Sequence, residues 1–138
     1  MSLSTDLLDA LSPENKIFVA YSGGLDSTAL LFLCNKALKE KKIKNLKAIH
    51  INHNLSKNSD NWQQHCESFC RSNKIEFESF RVEVSKNRSS IESQARQARY
   101  KIFESLLDEN DQILLAHHRD DVFETLLLRL FRGTGVDG

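Results

Sequence analysis

The residues best equipped for chemistry fall in four short blocks. The first, Ser22-Gly23-Gly24-Leu25-Asp26-Ser27, lies between the apolar run Ile17-Phe18-Val19-Ala20-Tyr21 and a helix-like stretch from Thr28 to Leu38. Paired glycines permit positive φ and let the backbone come close to a ligand. The unpaired N–H groups of a helix's first turn then face an anion, with the helix dipole behind them. Strand, glycine turn and helix start in that order make a cradle for phosphate. The block has neither the Lys of GxxxxGK[ST] nor the spacing of GxGxxG, so two commoner phosphate-binding patterns are excluded. Asp26 puts a carboxylate where phosphates would sit, which is repulsive unless a cation such as Mg²⁺ lies between them. The plain alternative for Asp26 and Ser27 is a helix cap.

The second block, His50-Ile51-Asn52-His53-Asn54-Leu55, ends an apolar stretch. His50 is expected in the packing of a strand, or beside a nucleotide base together with Asn52 and His53. His53, nearer the tip, is the better placed to face a cleft. The histidine spacing does not make a metal pair, because i and i+3 point to opposite faces of a strand. In the third block Glu92, Arg96 and Arg99 stand at i, i+4 and i+7 of a helix and share one face. That arrangement is either a solvated salt-bridge ladder or a pair of arginines for phosphate oxygens. The fourth block is His117-His118-Arg119-Asp120-Asp121-Val122-Phe123-Glu124. Asp121 and Glu124, at i and i+3 of an expected new helix, suit Mg²⁺ or the ammonium of a cationic substrate. Capping by Asp120 and Asp121 explains one acid there, not three acids and two histidines in eight residues.

Strands and helices alternate around these blocks. Strands are predicted over Ile17 to Tyr21, Leu46 to Asn52, Phe77 to Val84 and Gln112 to Ala116. Helices are predicted up to Leu11, over Asp26 to Lys41, Trp62 to Asn73 and Ser90 to Asp108, and from Arg119 to Phe131. The first strand is apolar almost throughout, as a strand buried on both faces must be. Helical stretches show apolar residues at three- and four-residue intervals, such as Leu30, Leu33, Ala37 and Leu38. Alternation of this kind gives an α/β fold, a doubly wound Rossmann-like parallel sheet with helices on both faces. Ligands bind outside the carboxyl ends of such strands. The polar segments after the first, second and fourth strands are therefore expected to converge on one rim.

The composition adds exclusions. At 138 residues, 40% hydrophobic and 28% charged, the chain is sized and composed as one globular domain. Its apolar runs are too short to span a bilayer, and Met1 to Asp6 shows no basic-then-apolar leader. No membrane partner and a cytoplasmic location are the expectation. Three cysteines, an odd number, argue against a disulfide framework; Cys66 and Cys70, at i and i+4, are expected to be buried thiols rather than half of a zinc site. A net charge of zero does not suit a domain that grips a long nucleic acid unaided. Arg132-Gly133-Thr134-Gly135 reads as a second anion loop or an ordinary helix end, and the final loop suggests a truncated domain edge.

The first block resembles the PP-loop of adenylating ATP pyrophosphatases. Taken with His50 to Leu55, Glu92 to Tyr100 and Ala116 to Gly135, in that order, it resembles the N-terminal PP-loop domain of tRNA(Ile)-lysidine synthetases. One departure is Ser56, where many members carry Arg after the Leu of the second block. The resemblance implies an adenine nucleotide alpha hydrolase-like PP-loop fold over residues 1–138, with the tRNA-recognition domains missing. It implies ATP and Mg²⁺ as cofactors, free L-lysine and the CAU-anticodon tRNA(Ile) as partners, and ligation of lysine to the wobble cytidine through an adenylated intermediate. On that reading Ser22 to Ser27 hold the pyrophosphate, Asp26 and Glu124 hold Mg²⁺, and Arg96 or Arg99 neutralises the α-phosphate. Asp121, alone or with Glu124, binds lysine, and His117 or His118 takes a proton from the attacking amine. An apolar edge left by truncation would favour a homodimer. A PP-loop tRNA thiolase is the rival enzyme, for which Cys34, Cys66 and Cys70 are poorly placed. A non-catalytic adenine-nucleotide sensor is the rival outside enzymes, and it would need the first block but not the acids of the fourth.

Overall fold

The computed structural model describes residues 11, 13–54, 56–83, 91–119 and 122–129, with the backbone alone at 91–92, 117–119 and 122–129. Strand β1 (Lys16–Ala20) leads into helix α1 (Leu25–Lys39), then β2 (Asn45–Asn52), α2 (Ser59–Ser72), β3 (Glu76–Arg81), α3 (Ile91–Leu106), β4 (Gln112–Arg119) and β5 (Val122–Arg129). The sheet order is β3-β2-β1-β4-β5. The first four strands are mutually parallel, with Ile17 opposite Leu46 and Gln112, and Ala48 opposite Phe77. The chain moves from β1 outward to β3, then returns across β1 to β4. The strand order therefore reverses between β1 and β4, where such sheets open a crevice.

Alternation along the strands divides the core in two. Ile17, Val19, Ala48 and Leu114 pack with Leu30, Leu31, Cys34 and Ala37 of α1 and with Cys66 and Cys70 of α2. Phe18, Ile49, Ile113 and Leu115 point the other way and pack with Phe103 and Leu107 at the end of α3. Successive strand residues face opposite sides, so one central strand feeds both layers. Its residues Ile17 and Val19 are wholly buried. The expected parallel sheet with helices on both faces is what forms.

One expected element differs. Residues 122–129, predicted within a helix from Arg119 to Phe131, form β5, antiparallel to β4 with Ala116 opposite Thr125 and His117 opposite Glu124. Two residues separate the strands, a length that joins antiparallel neighbours and no parallel crossover. Val122, Phe123 and Thr125 favour the extended form, and a short apolar run such as Leu126 to Leu128 fits either period. Glu124 is thus not one helical turn beyond Asp121. The expected N-terminal helix and the final Arg132 to Gly138 loop lie outside the described residues.

Candidate functional site

The turn after β1 is built from its own side chains. Ser27, buried at the start of α1, accepts from the Ser22 amide at 3.1 Å, and the two hydroxyls lie 3.0 Å apart. The Ser22 hydroxyl accepts from the Gly24 amide at 3.2 Å, and the Thr28 hydroxyl donates to the Gly24 carbonyl at 2.7 Å. Two of the six amides expected to face phosphate are therefore occupied by the turn itself. No side chain caps α1 at Gly24. The first-turn amides of Leu25, Asp26 and Ser27 keep the donor capacity that a helix start leaves open. Gly23 has φ +89°, and a Cβ there would come within 2.7 Å of the Cys66 sulfur and 3.0 Å of the Trp62 ring. Both conformation and space require glycine at this position.

Helix α2 presses on the turn from the side. The Trp62 indole Nε1–H donates to the Ser22 carbonyl at 2.6 Å, and the ring stacks on His65 at 4.9 Å between centroids. The start of α2 is itself tied down. Asn52, buried at the end of β2, donates to Asp60 and Gln63 at 2.9 Å each, and its oxygen accepts from the Asn54 amide at 2.8 Å. Arg81, from the neighbouring strand, donates to Asp60 at 2.6 Å and to Asn54 at 3.1 Å. These hydrogen bonds from Asn52 and Arg81 hold the exposed Asp60 carboxyl below its usual range. Asn54 takes φ +56°, which asparagine tolerates, and this turns the chain back after His53.

A cleft of about 520 Å³ opens over the carboxyl ends of β1, β2 and β4, within the roughly 300–1,000 Å³ range of small-molecule sites. Its walls include Ser22, Ser27, His50, His53, Trp62 and Arg99, over a floor of Ala20, Ile49, Leu115 and Ala116. The rim expected from the first and second blocks forms, and Ala116, just before the fourth block, reaches it. His50 is buried, and its Nδ1 lies 3.0 Å from the Tyr21 carbonyl. A carbonyl can only accept, so Nδ1 carries a proton and donates to it. Nδ1 of His53 and Nε of Arg99 are buried without a hydrogen-bond partner, an arrangement that usually marks a place for water, ion or ligand. Burial, then the Arg99 guanidinium and His50, lower the His53 pKa from its ordinary value, so its ring is neutral at pH 7.

Asn52 and Arg96, among the remaining expected residues, stand outside the cleft. Asn52 spends its side chain on the turn after β2 and is not among the cleft walls. Arg96 is exposed, 5.4 Å from the Tyr100 ring centroid, so of the two arginines only Arg99 reaches the cleft. Asp26 sits half-buried in the first turn of α1 with no ion pair among the described residues. Gly24 and Leu25 are exposed on the same turn. The backbones of His117 and Glu124 face each other across β4 and β5, and Asp121 lies outside the described residues, as do the side chains of His117 and Glu124. Trp62 was not foreseen. No pattern of residue types marks it in the sequence, because its partner is the main-chain carbonyl of Ser22. All three cysteines are free and buried. Burial pushes Cys34 and Cys70 up to about 12 and Cys66 to about 11.

The match to a family extends from residue 2 to residue 138, and the family is that of the PP-loop domain. The chain belongs to the ATP-binding PP-loop domain family. Among curated proteins, this PP-loop chain is 46% identical over 136 residues to the tRNA(Ile)-lysidine synthase of Legionella pneumophila strain Lens, covering 99% of itself and 31% of that protein. It is 45% identical over 139 residues to that of Pseudomonas syringae pv. tomato, with the same coverage, and 42% identical over 131 residues to that of Histophilus somni strain 2336, covering 95% of itself and 30% of the relative. The PP-loop chain thus spans about a third of the length of the curated relatives it matches. Among solved structures, the U34-tRNA thiolase of Methanococcus maripaludis superposes with a TM-score of 0.68 at 21% identity, over 86% of this chain and 44% of the other. That likeness shows the fold alone. No helix among the described residues is long and apolar enough to cross a membrane.

Proposed function

We propose that this PP-loop domain binds and activates ATP within a tRNA(Ile)-lysidine synthase, the activity on tRNA being that of a longer protein. The observation that carries the reading is the cleft where the Ser22–Ser27 turn meets the unpartnered His53 Nδ1 and Arg99 Nε at the switch between β1 and β4. Identity of 42% to 46% to proteins of that name supports it. In the first step the O2 oxygen of the wobble cytidine attacks the α-phosphorus of ATP, and the bond to pyrophosphate breaks. First-turn amides of α1 take up charge on the leaving pyrophosphate, each charged hydrogen bond being worth about 1.5–3 kcal/mol. Arg99, which lines the cleft, would meet the α-phosphate; Arg96 would need to swing from its outer position. In the second step the ε-amine of lysine attacks C2 of the cytosine and AMP leaves. The amine proton passes to His117 or His118, and Asp121 holds the ammonium of the incoming lysine before deprotonation.

The residues present fit Mg²⁺. Asp26 offers a carboxylate with no competing ion pair among the described residues, and Mg²⁺ characteristically takes one or two carboxylates with phosphate oxygens. Asp26 and Glu124 would hold the ion, and it would supply charge neutralisation on the phosphates. The thiolase reading is less favoured, because all three thiols are buried and held protonated. A thiolate is the form that binds metal or attacks. The deciding experiment is pyrophosphate release by the full-length protein, with CAU-anticodon tRNA(Ile) and with or without lysine. Release that needs this tRNA, followed by lysine incorporation, is the expected result. Release with no tRNA dependence, or sulfur incorporation, would rule the proposal out. Asp121→Asn should abolish lysine incorporation while sparing ATP binding.

A further inference from the structure

We infer that Trp62 is a positioning residue for phosphate, a latch that sets the direction of the Gly23 amide. The inference rests on the reading of the cleft as an ATP site. Its starting point is the 2.6 Å hydrogen bond from the indole N–H to the Ser22 carbonyl. The Ser22 carbonyl and the Gly23 N–H belong to one planar trans peptide and point in opposite directions. Holding the carbonyl against Trp62 therefore aims the Gly23 N–H away from Trp62.

Glycine at 23 makes such a latch necessary. With φ at +89° the residue has no side chain to restrain it, and glycine visits positive and negative φ with similar ease. Rotation of the Ser22–Gly23 peptide would exchange an N–H donor for a carbonyl oxygen, turning an anion-attracting group into a repelling one. Trp62 opposes that rotation twice. Its N–H holds the carbonyl, and its ring with the Cys66 sulfur walls the space beside Gly23. Its own position is secured within the same helical turn, where Asn52 and Arg81 fasten Asp60 and Asn52 fastens Gln63. Stacking on His65 fixes the plane of the ring. A tryptophan held this firmly while 45% exposed beside a cleft does more than fill the core.

The test compares wild type, Trp62→Phe and a protein carrying benzothienylalanine at position 62, which keeps the two-ring shape and lacks only the N–H. Binding of ATP with Mg²⁺, of inorganic pyrophosphate and of adenosine is measured by titration calorimetry. Losing the latch should weaken ATP and pyrophosphate about threefold to tenfold, the span of one net hydrogen bond, and leave adenosine unchanged. A merely structural tryptophan would give a different pattern, with adenosine and ATP weakened together. Equal ATP and pyrophosphate binding by all three proteins, or parallel loss of adenosine in the benzothienylalanine protein, overturns the inference while the ATP site stands. Wild-type protein that takes up neither ATP nor pyrophosphate overturns the site reading and the latch with it.

Discussion

Replacing Gly23 with alanine is the most demanding test of the turn after β1. The new methyl carbon would lie 2.7 Å from the Cys66 sulfur and 3.0 Å from two carbons of the Trp62 ring, on a backbone at φ +89°. The conformational part costs about 1–2 kcal/mol for an L-residue, and forcing a methyl into filled space adds about 1–3 kcal/mol. Neither neighbour can yield freely, since Cys66 is wholly buried and Trp62 is hydrogen-bonded to Ser22. Together the two effects give about 2–5 kcal/mol, a large share of the roughly 5–15 kcal/mol stability of a domain. Gly24→Ala is the control, because φ there is −73° and its Cβ would meet only the Ser22 hydroxyl, at 3.4 Å. It should change stability by less than about 1 kcal/mol, in either direction. Urea unfolding followed by circular dichroism measures both. A double-mutant cycle with Cys66→Ala separates the causes: removing the sulfur should return its share of the steric part and leave the clash with Trp62 and the conformational part. Gly23→Ala no more harmful than Gly24→Ala, or a cycle with no coupling, would refute the reasoning.

Three further outcomes follow from other parts of the molecule. Arg99→Gln should weaken ATP binding about tenfold or more, the scale of a charged hydrogen bond, whereas Arg96→Gln should change it by less than about twofold; titration calorimetry ranks the two. His53 has a lowered pKa, so the unfolded chain binds its proton first as pH falls. Stability should decline as pH drops below about 6.5 and level off once the folded-state pKa is passed. The slope should shrink in His53→Gln, as read by denaturation midpoints at a series of pH values. Phe103, wholly buried between α3 and the sheet, should cost about 3–5 kcal/mol on truncation to alanine, measured by the same urea unfolding.

Much of this arrangement could be read from residue order. Apolar runs such as Ile17 to Tyr21 and Gln112 to Ala116 marked the central strands because a strand covered on both faces has no polar side. The glycine turn marked the cradle because few other segments place two glycines between a strand and a helix. Residues 122–129 were harder, since Leu-Leu-Leu carries neither a two-residue nor a 3.6-residue period. Pairing with the adjacent β4 then decided their form, and such pairing leaves no mark in the period of the run. The same limit hid the neighbours of the cleft. His53 follows β2 and Arg99 lies on α3, far apart in sequence, and only the crossover through α3 brings them together. Arg96 and Arg99 looked equivalent on a helical wheel; which one bends over the sheet end depends on where that helix is docked. Trp62 resembled core in sequence because its partner is a main-chain carbonyl, which leaves no pattern of residue types.

The two halves of the hydrophobic core, separated by the sheet, draw near each other at the cleft. Trp62 and Ser27 reach it from the layer of α1 and α2, and Arg99 reaches it from the layer of α3. A nucleotide seated there would rivet front to back across the top of the wall. Amide hydrogens far from any phosphate, deep in α3 as well as α1, would then exchange more slowly with solvent, because separating either layer would first require letting the ligand go.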